Sequence, residues 1–250
     1  MEVHHHPHIE NQPGGRAGKN FKEYFFEFFM LFLAVFCGFL AENFREHQME
    51  KARAKQYIFS FYKDLNSDTA TYTQLISFYT SATSALRAKD SCYDAFKKNL
   101  NCNVCLGNLF GYSLGFMDLI TADETISQLK NAGEMRSLEK DDADSILKYD
   151  KAIRIYKIEE ATGTQSTQNE IRKMIFSLMN YDAIRKYNQE NRIDGTVPVL
   201  YVANKELVNN YFNLLDYYYS TDRGQLAYII QLKQNADWLI EYFRKKYNFK

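Results

Sequence analysis

Four of the five histidines stand near the start of the chain, at His4, His5, His6 and His8. Neutral imidazole is a good ligand for zinc, copper or nickel. Residues 1–20 are polar and contain several glycines and prolines, which predicts a flexible tail without the fixed geometry of a metal site. These histidines are therefore weak metal candidates. The fifth, His47, is the single histidine beyond the tail, so histidine-based catalysis has little to use.

Three of the four cysteines form a C-x9-C-x2-C pattern at Cys92, Cys102 and Cys105. In an oxidising compartment the simplest outcome is one disulfide and one remaining thiol. A structural zinc site would need a fourth ligand, and no histidine lies nearby. A thioredoxin-like role for Cys102 and Cys105 would need a preceding strand, which the pattern does not predict. The fourth, Cys37, lies in an apolar run and is interpreted as a small packing residue.

An ionisable side chain, Glu27, lies near one end of that apolar run. At helical spacing it shares a stripe with small residues, and the pair Ala34-x-x-x-Gly38 lets two helix backbones approach closely. The predicted contact face of the helix comprises Glu27, Ala34, Cys37, Gly38 and Ala41. Two interpretations of Glu27 stay open. It carries or gates protons or cations inside an oligomer, or it lies at headgroup level, solvated or paired with a nearby lysine.

Other catalytic patterns are weak. The aspartates at 141, 142 and 144 lack the rest of a calcium loop, and a helix start explains them better. We find no phosphate loop, dinucleotide fingerprint or nucleophile elbow. The run from Asp216 to Tyr219 is interpreted as bundle packing with hydroxyls at the surface. With 31 basic and 31 acidic residues the formal charge is zero, which gives nucleic-acid binding no support. The chain is therefore predicted to be non-enzymatic, without a cofactor.

These residues must be positioned by helices, because only three prolines occur and two of them lie in the tail. Residues 21–41 include eight phenylalanines, and a helix of that length rises about 30 Å, the thickness of the hydrocarbon layer of a bilayer. A signal peptide fits less well, since Phe39 stands where a small residue is expected before cleavage. We predict a tail at 1–20, a retained transmembrane helix at 21–42, a stalk helix at 43–65 and a helical domain at 66–250.

Local patterns within that domain predict where its elements begin and end. Asn66, Ser67 and Asp68 suggest a turn or a helix start. Thr121 and Glu124 match a capping box, and Gly133 suits a left-handed helix end. Residues 161–167 are predicted to form a loop, and residues 197–202 an extended segment. The expected fold class is all-α, with one N-terminal transmembrane helix that continues into a stalk and a soluble bundle.

Two stretches together resemble a known family. Residues 34–65 join an apolar span to a polar helix ending in "KDL", and residues 121–150 contain a "QLKxxGxxRxL" segment, formed by Gln128, Leu129, Lys130, Gly133, Arg136 and Leu138. These features resemble an uncharacterised family of single-pass membrane proteins from Bacteroidota. The resemblance covers about a third of the chain, and the opening MEVHHHPH is similar as well. It implies a bacterial inner-membrane location and no particular activity.

The count of basic residues on the two sides of the span slightly disfavours a tail in the cytoplasm, with Arg16, Lys19 and Lys22 on the tail side and Arg45, Lys51, Arg53 and Lys55 on the other. Two other features outweigh that count. Arg45 is bracketed by Glu42 and Glu46, which weakens the basic flank after the span, and long domains cross membranes largely regardless of charge. We therefore expect the tail in the cytoplasm and the C-terminal domain in the periplasm. The expected function is a membrane-anchored interaction or assembly protein whose partners are the bilayer, itself or other inner-membrane proteins. The alternative is an ion-coupled membrane component that uses Glu27, with a sensing or transmitting bundle outside the cytoplasm.

Overall fold

The computed structural model describes residues 21–190, 197–201 and 204–249, so the predicted tail lies outside the described residues. Within them the fold is all-α, which confirms the predicted class. The elements in order are α1 Phe21–Leu86, α2 Lys89–Lys97, α3 Asn103–Leu114, α4 Glu124–Asn131, a 3₁₀ turn Glu134–Ser137, α5 Lys140–Glu159, a π-helical segment Glu160–Gln165, α6 Ser166–Leu178, α7 Tyr181–Glu190 and α8 Lys205–Tyr247. Among these residues the only extended pairing is one antiparallel bridge, between Met179 and Leu200.

The chain divides into two units, residues 1–50 and residues 51–250. In the first unit every described side chain is exposed except Leu33, which is half-buried. An 18-residue window of α1 has a mean hydropathy of 2.1, and none of it is buried. Phenylalanines one turn apart stack on each other, as Phe32 does on Phe36 with ring centroids 5.8 Å apart. By length and composition this part of α1 is able to cross a membrane.

The second unit, called the body below, contains two apolar clusters. The first cluster is formed by Ile58, Phe61, Leu65, Tyr72, Leu75, Tyr79, Leu119, Ile126, Leu129, Leu138, Ile146, Tyr149, Ile153, Tyr156, Ile229, Leu232, Ala236, Leu239 and Phe243. The second cluster is formed by Leu86, Cys92, Leu106, Leu109, Phe110, Ile171, Ile175, Leu178, Met179, Ala183, Val199, Val208, Tyr211, Phe212, Leu215 and Tyr218. The 43-residue helix α8 contributes to both clusters, because its apolar stripe runs along its whole length.

The predicted turn at residues 66–68 is wrong, because α1 continues without a break to Leu86. The polar side chains that suggested a turn bond within the helix or to other elements. Asn66 donates to the Tyr62 carbonyl oxygen at 2.7 Å, a bond along the helix. Asp68 is 2 % exposed and accepts from the Ala122 backbone N–H at 2.7 Å. Tertiary contacts thus outweigh the local preference of these residues for turns.

Two further local predictions are wrong. Residues 160–165 form a π-helical segment between α5 and α6 where a loop was predicted, and the buried Thr164 lies inside it. The capping box is absent, since Asp123 precedes α4 and the Thr121 hydroxyl accepts from Lys157 instead. The prediction for Gly133 is confirmed: its φ of 68° ends α4 in the left-handed conformation, which glycine adopts without strain.

Candidate functional site

The residues of the predicted contact face of α1 lie at the surface of the chain. Glu27, Ala34, Cys37, Gly38 and Ala41 are all exposed, and Cys37 is a free thiol. A side chain added at Gly38 would meet no atom of the chain within 4 Å. Ala34, Gly38 and Ala41 stand three and four residues apart, so they lie on one face of the helix. This face is therefore the one place in the span where a second helix can approach the backbone closely.

The structure pairs Cys92 with Cys105 in a disulfide and leaves Cys102 free. Cys92 is buried on α2, and Cys105 lies in the first turn of α3, with their Cα atoms 5.8 Å apart. The bond therefore fastens α2 to α3 in the second cluster. Cys102 is half-buried, and burial raises the pKa of its thiol, which lowers its reactivity at neutral pH.

No group of three or more histidine, cysteine, aspartate or glutamate side chains within the described ranges is arranged to hold a metal ion. The candidate ligands His4, His5, His6 and His8 lie outside those ranges.

The aspartates at the start of α5 differ from one another. Asp142 is completely buried, whereas Asp141 is exposed. The Asp142 carboxylate accepts hydrogen bonds from three groups of α8: Tyr242 Oη at 2.8 Å, Lys246 Nζ at 2.6 Å and the Tyr247 hydroxyl. Helix α5 does begin here, at Lys140. The sequence predicted the helix start but not the ion pair, because the partners are about 100 residues away along the chain.

The tyrosines of the run in α8 point to different sides of the helix. Tyr218 is buried in the second cluster, whereas Tyr217 is exposed. The neighbouring Asp216 pairs with the buried Lys89 at 3.0 Å, and Lys89 also lies over the ring of Tyr219. These contacts join α8 to α2.

Sequence reasoning missed three buried carboxyl groups, and their burial is the most unusual chemistry in the body. Burial raises the pKa of Asp68 to about 6, although the Ala122 N–H and the Tyr149 hydroxyl, which donates at 2.8 Å, lower it. Burial alone raises the pKa of Asp222 to about 7. The pKa of Glu160 is also raised, chiefly by burial. The sequence does contain one signal for their burial. Each of these carboxyl groups stands at a position of the helical repeat that is otherwise occupied by buried apolar residues.

No protein-family model, no curated protein and no solved structure matches this chain. The functional interpretation therefore rests on the residues and the geometry of the chain itself.

Proposed function

We propose that this chain is a non-enzymatic, membrane-anchored interaction protein. Its span, residues 21–42, lies in the bacterial inner membrane and assembles with copies of itself or with other membrane proteins. The tail lies in the cytoplasm, and the helical body lies in the periplasm and serves as the interaction module.

One observation carries this proposal: an apolar helical window of mean hydropathy 2.1 that the rest of the fold leaves entirely uncovered. Apolar surface costs about 25 cal/mol for each Å² left in water, so a row of exposed phenylalanines needs an apolar phase around it. The length of the segment matches the hydrocarbon layer of a bilayer. The resemblance to a Bacteroidota family supports the choice of a bacterial inner membrane.

The small residues Ala34 and Gly38 of α1 support assembly rather than simple anchoring. A plain anchor needs apolar side chains all round, whereas Ala34 and Gly38 expose backbone on one side. Van der Waals contact between two helices is strongest where small residues let the backbones meet. The large phenylalanines on the other faces suit contact with lipid chains.

The first experiment is the mass and composition of the intact particle, purified from native membranes in a mild detergent. We expect a closed homo-oligomer, or a complex with other membrane proteins, in which Cys37 forms cross-links between neighbouring spans. A particle with the mass of one chain at every protein concentration would contradict the assembly function. Recovery of the full chain in the soluble fraction would contradict the anchoring itself.

Gly38→Leu tests the face directly, with Phe36→Leu as the matched control on the opposite side of the helix. A Cβ atom added at Gly38 meets no neighbouring element of its own chain within 4 Å, so a loss of assembly is expected to report a clash with a partner helix. We expect Gly38→Leu to weaken association at least about tenfold, equal to about 1.4 kcal/mol. The control should assemble like the wild type. Equal assembly of both variants would show that the small residues are not the contact.

A further inference from the structure

A polar layer separates the two apolar clusters of the body. Along α8 the layer lies between Tyr218 of the second cluster and Ile229 of the first. Along the continuous run of α5, the π-helical segment and α6, it lies between Tyr156 and Ile171. We name it the Asp222 layer, and it consists of Tyr79, Thr164, Asp222 and Gln225, each at most 4 % exposed.

Five side-chain atoms of the Asp222 layer have no hydrogen-bond partner among the described residues. They are Tyr79 Oη, Thr164 Oγ1, both carboxyl oxygens of Asp222, and Gln225 Oε1. Three of these five atoms can only accept when Asp222 is ionised, so the layer has acceptors in excess. An unsatisfied buried acceptor costs about 1–3 kcal/mol, and more if it is charged.

Among the described residues, the elements packed around the layer bring further titratable groups, but no positive charge acts on the pKa of Asp222. Helix α1 contributes Tyr79, whose pKa is raised by burial and then by the charges of Asp222 and Glu160. The adjacent Tyr156 hydroxyl of α5 donates to Glu160 at 3.0 Å, and its oxygen interacts with the Tyr79 hydroxyl, which lowers the pKa of Tyr79 slightly. The charge of Lys157 lowers the pKa of Glu160. The charge of Arg172 in α6 lowers the pKa of Tyr218 in α8. The charge of the exposed Asp118 raises the pKa values of Tyr79 and Glu160.

We propose that Asp222 is a proton-binding site, and that its proton keeps the Asp222 layer between the two apolar clusters closed to water. A neutral carboxyl has an O–H group that can donate a hydrogen bond. Gln225 Oε1 lies one turn further along the same face of α8, and it is an acceptor without a partner among the described residues. Loss of the proton leaves a buried carboxylate to which no donor of the described residues is bonded, and water entering the layer relieves this.

The position of the layer gives this proton a structural effect. Helix α8 packs against the π-helical segment next to Asp222, since a side-chain carbon added at Gly163 would lie 3.9 Å from the neighbouring Thr221. π-Helical turns are uncommon and frequently mark functional positions. Burial raises the pKa of the Asp222 carboxyl to about 7, so the proton is exchanged within the physiological range.

The direction of the pH effect follows from linkage. The closed layer holds the proton up to about pH 7, whereas an open, hydrated layer releases it near pH 4, as ordinary aspartate does. Raising the pH from 5 to 7 therefore favours the open layer, by up to about tenfold for each pH unit. Above about pH 7 both arrangements are ionised, and the effect levels off.

Hydrogen exchange of the full chain in detergent, at pH 5, 6, 7 and 8 and corrected for the intrinsic exchange rate, tests this proposal. We expect the opening of amides in 156–168 and 218–229 to rise from pH 5 to 7 and then to level off. Asp222→Asn should give a clearly smaller rise than the wild type, because its amide supplies a donor at every pH; the part that remains comes from Glu160, whose pKa is also raised by burial. Asp237→Asn, an exposed position of the same helix, should follow the wild type.

The proposal is overturned if the wild-type profile is flat, a result that needs no variant, or if Asp222→Asn shows the same rise from pH 5 to 7 as the wild type. A second measurement is the carboxyl titration of Asp222 by ¹³C NMR, assigned by the signal missing in Asp222→Asn. A midpoint near 7 supports the proposal. A midpoint below about 5 overturns it, since that is the result expected if the Gln225 amide is rotated and donates N–H to an ionised Asp222.

Discussion

The contact between Asp142 and the end of α8 is expected to dominate the stability of the body, and Asp142→Ala is the change that tests it. The substitution removes a fully buried carboxylate and leaves Lys246 and two tyrosine hydroxyls without their shared acceptor. No new group replaces them, because alanine is too short to reach α8. The last turns of α8, which pack on the first cluster through Phe243, are expected to detach first.

The magnitude follows from the geometry of this contact. Removing one partner of a buried ion pair costs about 3–5 kcal/mol. The Lys246 side chain is 25 % exposed and keeps Glu139 as a second partner at 2.8 Å, so the lower end of that range applies. We therefore expect a loss of about 3 kcal/mol. For a body of this size that equals a decrease in melting temperature of ~6–12 °C.

The assay is urea and thermal unfolding of the full chain in detergent, followed by circular dichroism. Asp141→Ala is the matched control, because Asp141 lies in the same first turn of α5 but is exposed. Both variants lose the same favourable interaction with the helix dipole, about 0.5 kcal/mol. The difference between them isolates the buried contact. If the two variants unfold within about 1 kcal/mol of each other, Asp142 does not hold α8 in place.

Three further predictions concern other groups. Burial raises the pKa of Asp68 to about 6, so the folded protein binds this proton more tightly than the unfolded chain does. The contribution of Asp68 to the free energy of unfolding is therefore largest below about pH 4, and it falls by about 3 kcal/mol as the pH rises to 6. In unfolding measurements from pH 4 to 6, Asp68→Asn should lower the slope of stability against pH by up to about 1.4 kcal/mol per pH unit, while Asp222 and Glu160, whose pKa values are also raised, keep the remainder. An unchanged slope would contradict the raised pKa of Asp68. Removing the disulfide with Cys92→Ala and Cys105→Ala should cost about 3 kcal/mol for a bridge spanning 13 residues, whereas Cys102→Ala should cost below about 1 kcal/mol, measured by unfolding without reductant. Glu27→Gln should leave assembly unchanged by native mass measurement, and loss of function with assembly intact would favour the ion-coupled alternative.

The amino-acid sequence predicted the features that depend on neighbouring residues. The apolar run of α1 is a matter of composition and length, and the helical class follows from few prolines and from apolar residues at helical spacing. Gly133 was predicted correctly for the same reason, since a left-handed helix end is set by one residue and its immediate backbone.

Only the tertiary structure decided which polar residues are buried. In the sequence, Asp142 and Asp222 resemble ordinary surface residues. Asp68 was predicted to lie in a turn or at a helix start. Their burial depends on elements that lie elsewhere along the chain: Ala122 and Tyr149 bond Asp68, and α8 bonds Asp142. Local patterns contain no information on such pairings, because the free energy of a buried charge is set by what packs around it. The sequence therefore determined that this chain is helical with an apolar N-terminal helix, whereas packing determined where its titratable chemistry lies.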